Sequence, residues 1–374
     1  MKIGIIGDLI LSPNAHYDDL IRRKLQSTDL NIANLESPFI NKAIRESSKT
    51  GGLCQLMDHC DQLKELNIKA VSLANNHMYD FGEAGLLETI RILDESDILH
   101  FGAGKNLEEA SKLLHLDIEG KKIAIGGYVS RYIKPHSARA NRAGTAPLIE
   151  KRIREILAES DADYKLLYNH WNQEYEDYPD PLFLDMSGRL ISGCNTIIGS
   201  HPHCIQGIMD FEKKFVFHSI GNFTMPHTEY HLKSLGTFPD HCYEAYFVIL
   251  HIDEKNNTSY EKVPYKIHAN GEQILAMSED EAAALEKKSQ KISAPLNLEY
   301  RKYLKFYRGI KRRKFRPILR KSHLWNSFRI WYTFMILSVL RSMTSFFVRI
   351  FDFIGIRQMV RKRFAFILNR LFKL

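Results

Sequence analysis

Short apolar runs rich in β-branched and aromatic residues recur along this chain, and most of them stop at a glycine, an amide, an acid or a histidine. Lys2 to Ile6, Leu30 to Asn34 and Ala70 to Leu73 read as strands, and Lys122 to Tyr128, Tyr164 to Tyr168, Asn195 to Ile198, Phe215 to Ser219 and Tyr243 to Ile252 continue the series. Between the runs the period changes. Leu56, Cys60, Leu63 and Leu66 fall on one helical face, as do Leu86, Ile90 and Leu93. Strands alternating with amphipathic helices predict an α/β protein with helices laid on its sheets. In such sheets ligands bind beyond the carboxyl ends of the strands, where loops bring polar groups together without disturbing the core.

Five segments at predicted strand ends carry metal-competent side chains. They are Gly7-Asp8, Asn34-Leu35-Glu36, Ala74 to Asp80, His170 to Tyr175, and Gly199 to His203. Carboxylate, amide oxygen and imidazole together suit divalent Mn, Fe or Zn and are the wrong set for a thiolate site. A single loop histidine is most often a solvated side chain, and a lone Gly-Asp is most often a turn. Five such segments in one chain point to a shared centre. The five cysteines include no Cys-x-x-Cys pair, which predicts reduced thiols and gives no support to thiolate zinc. Gly-x-Ser-x-Gly, Walker-type and Gly-x-Gly-x-x-Gly patterns are absent, so Ser-hydrolase, NTPase and dinucleotide readings lack support. Phe101 to Gly104 is glycine-rich but reads as a turn.

The ordered motifs Gly-Asp, Asn-Leu-Glu-Ser-Pro, Ala-Asn-Asn-His-x-x-Asp-x-Gly (Ala74 to Gly82), His-Trp-x-x-Glu-Tyr (His170 to Tyr175), His-Pro-His-x-x-Gln (His201 to Gln206) and Ser-Ile-Gly-Asn-Phe (Ser219 to Phe223) strongly resemble the CapA family of poly-γ-glutamate capsule biosynthesis proteins. The resemblance covers roughly residues 1–250. It implies a calcineurin-like metallophosphoesterase fold, a two-sheet α/β sandwich flanked by helices. It also implies roles. Asp8 would bind a first metal, Glu36 would bridge two, Asn76, His170, His201 and His203 would complete the ligands, and His77 would protonate a leaving group or grip a phosphate oxygen. Asp80 and Glu174 would take the free N–H groups of the imidazoles. The chain departs from the pattern at Ile10, where the superfamily usually places a histidine ligand, and at Asn172, which replaces a usual glycine. Cys204, beside His203, reads as a small buried thiol rather than a soft extra ligand.

Charge divides the chain. Residues 1–300 carry 32 Lys+Arg and 43 Asp+Glu, net −11, whereas residues 301–374 carry 20 and one, net +19. The expected domains are a metallophosphoesterase-like body over 1–270, a helical linker over 271–300 and a basic amphipathic helical tail over 301–374, with Ser293-Ala294-Pro295 as a boundary. Leu324 to Ile354 is rich in large apolar residues, but its longest charge-free run, Ile330 to Leu340, falls short of the ~20 residues that a spanning helix needs. Aromatics, Trp325 and Trp331 among them, mixed with arginines predict an interfacial tail on anionic phospholipid. Packing of the tail on protein is the bland alternative. Its aromatic content exceeds what nucleic acid binding requires. The N-terminal apolar run is interrupted at Asp8, too early for a signal peptide, which predicts a cytoplasmic protein peripheral on the inner face of the membrane.

The resulting expectation is a CapA-like protein of capsule or exopolymer biosynthesis that hydrolyses a phosphorylated or polyanionic substrate. The alternatives are a non-catalytic accessory or scaffold subunit of a polymer synthase complex, and a metal-dependent amide hydrolase acting on γ-glutamyl linkages.

Overall fold

The computed structural model describes residues 1–47, 52–226 and 238–321, with side chains up to Lys314 in its last helix. The chain divides into two units, Met1–Tyr307 and Arg308–Leu374. The first unit holds two large mixed sheets. The eight-stranded sheet runs His16–Tyr17, Gln273–Ala276, Thr258–Ile267, Glu244–Ile252, Lys2–Leu9, Leu30–Leu35, Ile68–Ser72 and Leu99–Phe101 from edge to edge. The six-stranded sheet runs Ile208–Asp210, Phe215–Phe217, Thr196–Ser200, Tyr164–His170, Lys121–Val129 and Leu114–Ile118.

Each sheet has a parallel core. In the first, Lys2–Leu9 pairs in parallel with Leu30–Leu35, which pairs with Ile68–Ser72, which pairs with Leu99–Phe101. In the second, the four strands from Lys121–Val129 to Phe215–Phe217 are likewise parallel. Parallel strands need coverage on both faces, and Leu30–Leu35 is accordingly buried at every position. Ile5, Ile32 and Val71 of one sheet share a core with Ile125, Leu166, Tyr168 and Phe217 of the other. The Tyr168 hydroxyl donates across that layer to Ile6 O at 2.6 Å. Outside the second sheet, Leu157, Trp171, Phe183 and Leu190 form a further core under the helices Glu150–Glu159 and Pro181–Leu190. The two-sheet α/β sandwich expected from the sequence is the architecture observed.

Every predicted strand is present. One helical reading is corrected: Leu56 belongs to the short strand Gln55–Leu56, a 3-10 turn covers Met57–His59, and the helix spans only Asp61–Glu65. Pairing with Phe39–Ile40, and the bond from Gln55 Nε2 to Ser37 O at 2.7 Å, override the helical period there. Within the expected linker 271–300, Gln273–Ala276 is a strand of the large sheet, and the helix Glu279–Ser293 carries a capping box on Ser278. The chain does not leave the body at Pro295. Leu296, Tyr303 and Tyr307 are buried with Leu184, and the Tyr303 hydroxyl donates to Pro179 O at 2.7 Å. The tail is described only through the helix Tyr300–Lys321, so the apolar stretch 324–354 lies outside the described residues. Among the described residues no helix is long and apolar enough to cross a membrane.

Candidate metal centre

The parallel strands of both sheets end at one place. Gly7 and Gly221 approach closely: a Cβ on Gly7 would lie 1.9 Å from Gly221 O, and Gly221 itself has φ 83°. That contact lets the Asp8 N–H donate to Gly221 O at 3.2 Å and the Phe223 N–H donate to Asp8 O at 2.7 Å, setting Asp8 beside Asn222. Glu36 follows directly on Leu30–Leu35, its N–H donating to Leu9 O at 2.9 Å. In the loop after Ile68–Ser72, Asn75 Oδ1 accepts the N–H groups of His77 and Met78 at 3.1 and 2.8 Å, a side-chain turn that shapes the Asn76-His77 pair. His170 closes Tyr164–His170. His201 and His203 follow Thr196–Ser200 with φ 92° and 58°, a left-handed backbone that non-glycine residues rarely adopt and that clusters at functional sites.

Six predicted ligands meet here. Asn76 Oδ1 lies 2.8 Å from His170 Nε2, which is 3.6 Å from Glu36 Oε1; His203 Nε2 lies 3.8 Å from the same oxygen. Glu36 with His170 and His201 forms one group of converging donor atoms, and Asp8 with Glu36 and His203 forms another, each within 4.8 Å. Glu36 is common to both. Asp8 and Glu36 have no solvent exposure, and His170, His201 and His203 are 1, 4 and 5% exposed.

The electrostatics of this cluster call for a cation. Both Glu36 oxygens and His201 Nδ1 lack a hydrogen-bond partner among the described residues. Buried orphan acceptors of this kind are costly unless a charged partner meets them. Burial, reinforced by the charges of Asp8, Glu174 and Asp80, pushes the Glu36 carboxyl well above the ordinary carboxylate range. Burial also raises Asp8, against the opposing pull of His203 and of hydrogen bonds from His201 N–H, Asn34 and Ser200. Burial and neighbouring imidazoles hold His170 and His201 well below the ordinary histidine range, so both are neutral and able to ligate. The residues fit one or two divalent ions.

The remaining predicted residues take distinct places. His77 Nδ1 is 2.9 Å from Asp80 Oδ2, which also accepts the Leu53 N–H at 2.9 Å. Glu174 is exposed and forms a third donor group with His201 and His203. Among the described residues, neither Asp80 nor Glu174 is hydrogen-bonded to His170, His201 or His203. Ser200 Oγ at 2.8 Å from His170 Nδ1, and Asn222 Oδ1 at 2.8 Å from His203 Nδ1, take that place instead. Asn34 Nδ2 donates to Asp8 Oδ1 at 2.8 Å. Asn34 and Asn222 stand inside the quoted motifs and Ser200 directly before one, but only the fold pairs each with its partner. Asn172 has φ 71°, which explains the usual glycine, and its Oδ1 accepts the Asp180 N–H at 2.9 Å, bracing the loop. Ile10 is fully buried in a cluster with Leu53, Cys204, Met225, Phe238 and Cys242, so its side chain is committed to packing.

The fold and the cluster define the class: a two-sheet α/β sandwich protein with a candidate divalent-metal centre at its strand ends. A family model described as bacterial capsule synthesis protein PGA_cap matches residues 11–227, and the chain belongs to that family. It is similar to the capsule biosynthesis protein CapA of Bacillus anthracis, 25% identical over 269 residues that cover 63% of this chain and 65% of that one. It is also similar to the PGA biosynthesis protein CapA of Bacillus subtilis (strain 168), 26% identical over 57% of this chain and 60% of that protein. A Mycobacterium tuberculosis relative named "Probable polyglutamine synthesis accessory protein" is 25% identical over 52% of this chain and 55% of its own. The chain thus spans less than two thirds of the length of each of these relatives. Among solved structures, a phosphatase from Mycoplasma pneumoniae aligns with a TM-score of 0.46 at 13% identity, covering 71% of this chain and 92% of that one.

Proposed function

We propose that this protein is a metal-dependent hydrolase of phosphoesterase type serving the synthesis of a bacterial capsule or a related anionic exopolymer of the poly-γ-glutamate type. The sharing of Glu36 between two buried donor groups carries the reading, because it is the arrangement that lets one carboxylate serve two ions. Asp8, Glu36, Asn76, His170, His201 and His203 would hold Mn, Fe or Zn. When bound, such ions supply Lewis-acid polarisation of a phosphate oxygen and acidify water near neutral pH.

The chain's own residues do the rest. With Nδ1 paired to Asp80, His77 keeps Nε2 to give a proton to a departing alkoxide. Between Arg131 and Arg142 the loop after Lys121–Val129 carries Arg131, Lys134, Arg139 and Arg142 and no acid. The Ser130 N–H donates to His170 O at 2.9 Å, and the Tyr79 ring stacks on His136 at 3.7 Å between centroids, which ties this loop to the His77 segment. A polyanionic substrate, phosphorylated or rich in carboxylates, would be drawn to those cations.

The basic segment 301–374 supports a place on the anionic inner face of the cell membrane. Its described part, within the helix Tyr300–Lys321, contains no acidic residue. Each Lys or Arg near such a surface contributes about 1 kcal/mol, so release from membranes by high salt is the expected behaviour.

The apolar burial of Ile10 favours a second reading, an accessory subunit of a polymer synthase that binds metal but turns nothing over. Screening aryl phosphomonoesters, phosphodiesters and a γ-glutamyl peptide with Mn²⁺ separates the two. Turnover of a phosphoester that is lost in Glu36→Gln supports the hydrolase, and turnover of the peptide alone moves the substrate to amides. Metal binding with no turnover supports the accessory role.

A further inference from the structure

Apart from the carboxylate–imidazole cluster, the described residues hold one more group of metal-competent side chains, and it is of a different chemical kind. Cys204 lies in the loop after Thr196–Ser200, and His241 and Cys242 stand in the 3-10 turn Asp240–Cys242 that precedes Glu244–Ile252. Two sulfurs and an imidazole nitrogen lie within 4.8 Å of one another. Cys204 and Cys242 are 0 and 1% exposed, and both are free thiols. His241 Nε2 is buried and has no hydrogen-bond partner among the described residues. Ile10, Leu53, Met225 and Phe238 pack around the two sulfurs. Nothing in the sequence announced this group, because its members come from two loops and no Cys-x-x-Cys spacing links them.

We propose that Cys204, His241 and Cys242 form a binding site for a thiophilic ion of the zinc class, separate from the nitrogen and oxygen centre. Two sulfurs with one imidazole are a donor set that zinc accepts and that harder ions such as Mn²⁺ do not favour. The apolar surround limits competition from water at the sulfurs. On binding, each thiol gives its proton to solvent as its sulfur–metal bond forms, and Cys204 gives up its bond to Glu176 O at 3.6 Å. The ion would join the turn at 240–242 to the loop in which His203 immediately precedes Cys204. Loading therefore stabilises the native body by mass action and steadies a loop of the other centre.

Cobalt(II) distinguishes this site from the neighbouring one, because only sulfur ligation gives a strong sulfur-to-metal charge-transfer band in the near ultraviolet. Reduced, metal-stripped full-length protein titrated with Co²⁺ is expected to develop that band and to lose it when Zn²⁺ is added. The band should persist in His201→Ala and vanish in Cys204→Ser and Cys242→Ser. Weak d–d absorption alone, or a band unchanged in Cys242→Ser, overturns the proposal. Zinc-edge X-ray absorption of the zinc-loaded wild type reads the same question without any substitution. Sulfur scatterers near ~2.3 Å support the site, and a shell of nitrogen and oxygen alone refutes it.

Discussion

Asn222 Oδ1 accepts the Nδ1–H of His203 at 2.8 Å, and this bond decides which imidazole nitrogen is left to face Glu36. The pairing joins the Gly-Asn-Phe segment to the His-Pro-His segment, and the close approach of Gly7 to Gly221 makes it geometrically available. Removing the acceptor frees the ring to turn. Asn222→Ala is expected to weaken Mn²⁺ binding by about 10–100-fold while the fold persists, as read by calorimetric titration and circular dichroism. Unchanged affinity would show that His203 is not a ligand.

The His77–Asp80 pair makes a prediction about leaving groups. Proton donation matters most when the departing alkoxide is a strong base, and a positioned acid contributes about 10²–10⁴-fold. His77→Ala should lower kcat by that order on an alkyl phosphate and far less on a nitrophenyl phosphate, with Asp80→Asn following the same pattern more weakly. Equal losses on both substrates would assign His77 to binding.

The basic loop predicts a split between substrates. Arg139 and Lys134 are exposed and make no ion pair among the described residues, so replacing both with glutamine leaves the body intact. KM for an oligomeric polyanion should rise by roughly tenfold at low salt, the lower end of what charge-lined sites contribute, and the difference should fade as salt increases. A small aryl phosphate should show little change in either constant.

Acid stability should depend on His218. Burial pushes this imidazole down from 6.5 to about 3. Between those values the unfolded chain takes up a proton that the native state refuses, so stability falls as the pH is lowered through that window, by up to about 1.4 kcal/mol per pH unit. Its neighbours there are Met209 Sδ, 3.5 Å from Nε2, and the Trp171 ring, 5.8 Å between centroids. His218→Phe keeps a ring against Trp171 and should flatten the dependence in urea titrations from neutral to acidic pH. Identical slopes in the two proteins would place the acid sensitivity elsewhere.

The positions of Asp8, Glu36, His170 and His201 at strand ends were legible because strand length, apolar patterning and the polar residue that follows are all local. What brings them to one place is not local. The parallel cores of two sheets end on the same side, and only the assembled sandwich sets Asn34 against Asp8 or Asn222 against His203. Thr258–Ile267 escaped notice because its half-buried face mixes Lys, Glu and Pro with apolar residues. Leu56 was misread because pairing with Ile40 outweighs a helical period that continues through Leu66. Cys204 and Cys242 became neighbours through the loop and turn that hold them, which no spacing rule anticipates.

Glu36 belongs to two donor groups at once, and metal binding by Glu36→Gln probes that sharing. The substitution keeps the shape and puts an amide that cannot ionise where burial disfavours the charged carboxylate, so the metal-free variant should fold and be at least as stable as wild type. Wild type should bind one or two Mn²⁺ ions, more tightly as the pH rises because the raised Glu36 carboxyl must lose its proton to ligate. Glu36→Gln should lose high-affinity binding altogether, not one ion of two. Mn²⁺ stoichiometry and affinity equal to wild type at neutral pH would show that Glu36 holds no ion.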